Sequence, residues 1–302
     1  MMTLPKPHGD KLHALLENPK LPDEDRPRVQ AAIDRYAQWE KDMADLGDSS
    51  SALSQMVAAL NKYKQNIELE LIFDSNQNFL YRQKGQLKLD NTIIEEFLPV
   101  LVTSVLADQL QPYALDFGPT TCFSALRFES SITAPGIGGG MRLREKAHDF
   151  AIGRPLFIQT SYHQDFRDSV TAETHIAYIA AECKTNLDKT MFQEAAATAS
   201  DVKTSVPGAK YYLLCEWLDM TPINTHTTAI DEILILRKAK RIAANIRGHF
   251  STAAGRRRHR AQLQEHLEAH PLAEDTFRRF LQHIQRTIDA STEDTILTRG
   301  YF

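Results

Sequence analysis

The chain has 302 residues, 42% hydrophobic and 25% charged, a composition that suits one large folded domain or a core with appendages. No run of about 18 apolar residues occurs, which excludes a membrane-spanning helix. Residues 1–10 lack the apolar stretch of a secretory signal, and Cys122, Cys183 and Cys215 are too few and too scattered for a disulfide framework, so a cytoplasmic protein is expected. The net charge of −4 is a sum of unlike parts. Residues 1–232 carry 22 Lys and Arg against 32 Asp and Glu, whereas residues 233–302 carry 13 against 7. Between Ile233 and Gln264 there is no acid at all, and nine basic residues fall there: Arg237, Lys238, Lys240, Arg241, Arg247, Arg256, Arg257, Arg258 and Arg260. Such asymmetry fits either a surface that faces a polyanion or a solvated basic helix face.

In chain order, the spacing of Val29, Ile33, Tyr36 and Leu46 predicts a helix over 23–46, opened by Pro22 and Asp23 and closed by Gly47. A polar linker, Asp48 to Ser51, leads to a second helix over 52–72. Residues 76–90 are polar, contain Gly85 and read as a small hairpin or loop, and a third helix over 92–109 ends before Pro112. Short β-type runs follow at 122–128, 149–152, 155–161, 176–183 and 211–218. Between the last two, residues 188–200 are alanine-rich and open on Asp188 as an N-cap, which predicts a helix. Strand, helix and the apolar strand from Tyr211 to Cys215 make a βαβ crossover, so those two strands should be parallel and buried. After Pro222 the pattern returns to helix, over 228–247, 257–269 and 273–290. The expected layout is a mostly helical region 1–113, an α/β core 114–225 and a basic helical region 226–302.

The segment from His175 to Thr185 carries the most chemistry. An apolar strand ends in Glu182-Cys183-Lys184 and a helix follows. Alternation places Glu182 and Lys184 on one face and Cys183 on the other. A carboxylate beside an ammonium at a strand end could bind Mg²⁺, which needs only one or two protein carboxylates besides water and phosphate oxygens. The bare tripeptide carries little weight, because chance alone gives about two acid-x-Lys matches in a chain of this composition, and two occur, at Glu182 and at Asp201. Only the first has an apolar strand before it and a helix after it; the plain alternative is a strand-end ion pair. A second acid is needed upstream. Asp149 heads an apolar stretch that can pair with residues 176–184, whereas Asp165 and Asp168 lie in the polar run 164–172 that reads as the strand connection, Asp165 being the second choice. Glu129 and Glu194 read as solvated strand-end and helix-surface acids.

Asp149, Glu182-Cys-Lys184, the helix over 188–200 and the strand over 211–218 together resemble the PD-(D/E)xK nuclease core. The run from Ala181 to Glu194 is similar to type II restriction endonucleases of the BbvCI-like group, and the resemblance spans roughly residues 140–220. It implies a restriction-endonuclease-like α/β fold, a mixed sheet flanked by helices, with helical N- and C-terminal regions. It further implies Mg²⁺-dependent, sequence-specific hydrolysis of double-stranded DNA. Asp149 and Glu182 would bind the metal with the Cys183 carbonyl, and Lys184 would position the attacking water and stabilise charge on phosphorus. Two departures stand out: His148 replaces the motif's proline, and the gap from Asp149 to Glu182 is long.

The glycine-rich run Gly136 to Gly140 lacks the spacing of a nucleotide cradle; it reads as a loop whose Arg142, Arg144 and Lys146 could meet phosphates. His266 and His270 lack the glutamate placement of a zinc helix and read as exposed helix residues. The cluster Arg256, Arg257, Arg258 and Arg260 is the strongest DNA-backbone signal outside the core. Cutting both strands with one active site per chain requires two subunits, so a homodimer, or a heterodimer with a related subunit, is expected. The rival readings are a PD-(D/E)xK nuclease of repair or structure-specific cleavage, and a non-catalytic DNA-binding protein.

Overall fold

The computed structural model describes residues 4–46, 52–289, 297–298 and 300; the expected helix stop at Gly47, the linker Asp48 to Ser51 and the helix end at Ala290 lie outside them. Six helices come first: α1 (Pro7–Leu16), α2 (Arg26–Asp45), α3 (Ala52–Asn66), α4 (Asn78–Gln86), α5 (Thr92–Val105) and α6 (Ala107–Leu110). Strands β1 (Asp116–Phe128), β2 (Met141–Thr160) and β3 (Val170–Leu187) follow, then α7 (Lys189–Ser205), β4 (Lys210–Leu218) and β5 (Glu232–Ile235). The chain continues through α8 (Ala244–Arg247), α9 (Ala253–Ala269) and α10 (Glu274–Asp289).

The five strands form one mixed sheet in sequential order. β1, β2 and β3 pair antiparallel, and β3, β4 and β5 pair parallel. The expected βαβ crossover is β3–α7–β4, and Asp188 caps α7 by accepting from the Met191 N–H at 2.9 Å. One sheet face, with Phe150, Ile152, Ala181, Cys183, Tyr212 and Leu214, packs against α3, α5 and α10. The other, with Ala151, Ala180, Tyr211, Leu213 and Cys215, packs against Phe192, Ala195 and Ala199 of α7. A mixed sheet between helices is the α/β arrangement expected above.

Three sequence expectations change. Residues 76–90 contain α4, with Leu80 and Gln83 buried. The helix expected over 228–247 is instead strand β5 followed by irregular chain and the single turn α8. Its apolar run is too short to separate the two periods, and pairing of Tyr212–Cys215 with Glu232–Ile235 satisfies its backbone in the sheet. The two runs 149–152 and 155–161 are halves of the single strand β2, which has 20 residues.

A straight strand of that length would span roughly 65 Å, yet the far end of β2 returns to the turn that precedes its start: Thr160 Oγ1 donates to the Gly138 carbonyl at 2.8 Å. Register shifts on both sides and Gly153 bend the strand. A Cβ at Gly153 would lie 2.4 Å from the Ile176 carbonyl oxygen, so only glycine allows this approach. The far half of the β2–β3 hairpin folds back, and Thr174 donates to Glu145 at 2.6 Å.

Two buried polar clusters fix the helices, the first to the sheet and the second to one another. In the first, Lys64 of α3 lies 2.9 Å from Glu216 of β4 and 3.6 Å from Glu68, which sits in the π-helical turn Ile67–Phe73. Arg237, just after β5, pairs with Glu68 at 2.8 Å and with Glu216 at 3.1 Å, and Lys84 of α4 pairs with Asp90 at 3.0 Å. In the second, Glu96 of α5 accepts from the free N–H groups of His8 and Gly9 at the start of α1, at 2.9 and 3.2 Å, and from the Tyr36 hydroxyl at 2.6 Å.

Glu96→Ala would leave those three donors without an acceptor in an interior site. A destabilisation of about 3 kcal/mol is expected, read as a lower urea midpoint with an unchanged m-value.

Candidate active site

The pair Phe150↔Ala181 on adjoining strands brings Asp149 level with Glu182. Along β1, however, Gly118 pairs with Ala151 and Thr120 with His148, so two residues of β2, Asp149 and Phe150, lie opposite the single Pro119 of β1. This bulge falls at Asp149–Phe150 and changes the side-chain phase of the strand. His148 turns toward α7 and meets the Tyr211 ring edge-on at 6.3 Å. Asp149 turns toward the helical layer, where its Oδ2 accepts from the Cys183 N–H at 2.8 Å and its Oδ1 faces Lys88 Nζ at 3.6 Å. Lys184 Nζ lies 3.1 Å from Glu182 Oε2, as alternation on one face required.

The segment between α4 and α5 completes the group. Asn91 Nδ2 donates both to the Cys183 carbonyl at 2.9 Å and to Glu95 Oε1 at 3.2 Å. Sequence reasoning placed a loop up to residue 90 and a helix from residue 92, but no functional residue in either. The available signal was a pair of acids, Glu95 and Glu96, inside an otherwise apolar helix; that Glu95 lies close enough to Asp149 to feel its charge is a long-range fact no local pattern carries.

Burial works against ionisation of Glu182, but the Lys184 ammonium beside it holds the carboxylate below its usual range. Burial also opposes the Lys184 charge, and Glu182, with Asp149 nearby, outweighs it and raises the ammonium above its usual range. Glu95 behaves differently: burial first and Asp149 second push it up to about 7, against Lys88 and Lys11. Burial places the Cys183 thiol well above its usual range, so it is no thiolate ligand or nucleophile. Asp149, Glu182, Glu95 and the Cys183 carbonyl are hard oxygen donors, and the buried Asn91 Oδ1 has no hydrogen-bond partner. Oxygen donors of this type are the ones Mg²⁺ takes. Elsewhere, Glu68, Asp90 and Glu216 bring ligand oxygens within 4.8 Å of one another, close enough for a metal ion; there Lys64, Lys84 and Arg237 already supply the positive charge.

The remaining candidates are scattered. Asp165 and Asp168 lie in the exposed turn of the β2–β3 hairpin, beyond the pair Thr160↔Val170 and at the opposite end from Ala181. Glu129 is exposed and pairs with Arg127 and Arg142 at 3.1 and 3.0 Å. Arg144 pairs with Asp201 at 2.6 Å, Glu194 is exposed on α7, and Lys146 is exposed close enough to Glu182 to act on its charge. His266 and His270, expected to be exposed, pack against Trp217, with His266 stacked at 4.6 Å.

The arginine cluster divides. Arg256, expected to face DNA, is 1% exposed. Its guanidinium donates to the carbonyls of Phe73, Ser75, Gln77 and Phe250 and lies over the Tyr81 ring, so it ties α9 to the helical layer and cannot reach a phosphate. Arg260 pairs with Asp74 at 3.2 Å. Arg257 and Arg258 are exposed.

A family model described as Bpu10I restriction endonuclease matches residues 86–302. Solved structures match as well. The one described as native BbvCI A2B2 tetramer at low resolution aligns over 95% of this chain and 96% of that chain, with a TM-score of 0.61 at 17% identity, a likeness of fold. No curated protein matches.

Two measurements test these assignments. Glu95 titrates near 4.5 when unfolded and at about 7 in the fold. The folded chain therefore holds the extra proton between those values, and the group's stabilisation is complete below about pH 4.5 and lost as the pH rises through 7, by about 3 kcal/mol. In EDTA, Glu95→Gln should gain that much relative to wild type between pH 4.5 and 8, read from urea unfolding. For the arginines, Arg256→Ala should lower the melting temperature by several degrees and leave the salt dependence of DNA binding unchanged. Arg257→Ala with Arg258→Ala should leave melting unchanged and make the salt slope shallower by about 0.9 per lost contact.

Proposed function

The chain belongs to the Bpu10I restriction endonuclease family, and from that membership we propose that it hydrolyses double-stranded DNA at a specific sequence with Mg²⁺, using Asp149, Glu182 and Lys184. The supporting observation is the convergence of Asp149, the Cys183 backbone and the Glu182–Lys184 pair where β2 and β3 adjoin.

Phosphodiester hydrolysis requires an in-line hydroxide, neutralisation of charge growing on phosphorus and a stabilised leaving oxygen. Asp149, Glu182 and the Cys183 carbonyl would hold the divalent cation, with Glu95 as a further carboxylate from α5. When bound, the cation supplies Lewis-acid neutralisation of the phosphate oxygens and favours hydroxide at neutral pH. The chain's own groups do the rest. Asn91 fixes the direction of the Cys183 carbonyl, and the Cys183 N–H fixes Asp149. Lys184, held by Glu182, orients the attacking water and faces the developing phosphorane charge. Arg142, Arg144, Lys146, Arg257 and Arg258 are the cations available for backbone phosphates, after Arg144 exchanges Asp201 and Arg142 exchanges Glu129 for DNA. A related structure is described as an A2B2 tetramer, and assembly of this chain with a second copy or a related subunit would place two sites on one duplex.

Purified protein is to be assayed on plasmid DNA with Mg²⁺ and with EDTA, beside Asp149→Asn, Glu182→Gln and Lys184→Ala. Discrete fragments from wild type in Mg²⁺ alone, and a loss of about a thousandfold in each variant, are expected. Undiminished cutting by Glu182→Gln or Lys184→Ala would overturn the catalytic assignment; a smear or branch-dependent cutting would favour a repair nuclease.

A further inference from the structure

Lys88 is the residue at the site that neither the motif nor the sheet accounts for. Its ammonium stands 3.6 Å from Asp149 Oδ1, and its side chain is 51% exposed. Its backbone, by contrast, is fixed. It holds φ +51, a left-handed value that lysine rarely adopts. Its carbonyl accepts from the Asn91 and Thr92 N–H groups, both at 3.0 Å, and from the Thr92 hydroxyl at 3.1 Å. Two residues on, the Asp90 carbonyl accepts from buried Lys64 at 2.8 Å. A long, solvated cation therefore swings from a rigid anchor.

We propose that Lys88 is a phosphate-positioning residue, held on Asp149 until a divalent cation takes its place and then turned to a phosphate of the DNA backbone. The proposal deepens the function given above and rests on it. A divalent cation bound at Asp149 would repel the ammonium that stands 3.6 Å from Oδ1 and offset the attraction that holds it there, which favours release of Lys88. Lys11 lies close enough to Lys88 to disfavour its own charge, so the released ammonium gains nothing by moving toward α1. Lys184 is committed to Glu182 at 3.1 Å and stays. Glu95, the other acid that feels the Lys88 charge, is read above as a carboxylate for the cation, so the counter-charge left for Lys88 is the anion that the cation and Lys184 recruit. Site loading and DNA contact are thereby linked through one side chain: before the cation arrives Lys88 neutralises Asp149, and afterwards it adds a contact to the substrate.

The experiment needs no cleavage. Full-length protein without DNA is titrated with Ca²⁺ by calorimetry, and duplex DNA binding in Ca²⁺ is measured across a salt series. Lys88→Asn removes the charge while Asn tolerates the left-handed backbone; Lys88→Gly serves if the Asn variant fails a melting check. Removing a half-exposed competitor should tighten Ca²⁺ binding about twofold to fivefold. The DNA salt slope should become shallower by about 0.9, whereas Lys88→Arg keeps it. Unchanged Ca²⁺ affinity, an unchanged salt slope, or a wild type that binds no Ca²⁺ would overturn the proposal. Undiminished cleavage by Glu182→Gln would instead overturn the catalytic reading and leave these two measurements to be judged on their own.

Discussion

Five buried charges and the partly exposed Lys84 hold the molecule in register. Lys64, Lys84 and Arg237 face Glu68, Asp90 and Glu216, and the six come from α3, the π-helical turn, α4, the loop before α5, β4 and the chain after β5. Each of the five buried charges would cost several kcal/mol to bury alone, so each requires its partners and therefore requires those elements to be docked. The π-helical turn is where α3 departs from regular hydrogen bonding, and it is the turn that carries Glu68 to Arg237. Asp90 is the link to chemistry. The same short segment places Lys88 on Asp149 and Asn91 on the Cys183 carbonyl, so the network sets the geometry of the site from one residue away.

The uneven charge of the chain takes on a different meaning in this light. An acidic body and a basic C-terminal region read equally well as a DNA-facing surface or as a solvated helix. Most of the basic residues in question face the chain's own acids: Arg237 with Glu68 and Glu216, Lys238 with Asp275, Arg241 and Arg247 with Asp219, and Arg260 with Asp74. Arg279 likewise pairs with Glu232. Much of the basic excess is taken up by ion pairs inside the chain, some to the N-terminal helical layer, some to the chain around β4 and β5, and one within the C-terminal region itself. Lys240, Arg257 and Arg258 are exposed and remain available to a polyanion.

Local pattern carried the elements whose burial is one-sided or complete. The apolar runs of β3 and β4 and the capped, alanine-rich α7 between them were legible because their backbone needs and their side-chain faces agree. β5 was not, since four apolar residues satisfy either period and only pairing with β4 decides. Glu182 and Lys184 were legible because both lie on one strand, where alternation fixes their relative facing. Glu95, Asn91 and Lys88 were not, because their partners sit in β2 and β3 and are reached only when α5 packs on the sheet. Arg256 misled for the same reason: a run of arginines looks solvated until one of them is found threaded among four carbonyls.

Both departures from the nuclease motif have a structural counterpart in β2. A proline at 148 would lack the N–H that a residue in the ladder opposite Thr120 can offer. The bulge at Asp149–Phe150 then does the work of aiming the aspartate, by shifting its side chain to the face opposite His148. His148 is left to pack on Tyr211 behind Glu182. The long interval before Glu182 is the other half of the same arrangement. β2 runs on from Asp149 to Thr160 and β3 returns from Val170, so the extra residues form a hairpin that Gly153 folds back onto the first turn at Gly138. The insertion leaves the level of Asp149 and Glu182 untouched because antiparallel register depends on the pairs beside them and not on the length of the loop beyond. A motif spacing can therefore lengthen by a whole hairpin while the two carboxylates stay on adjoining strands.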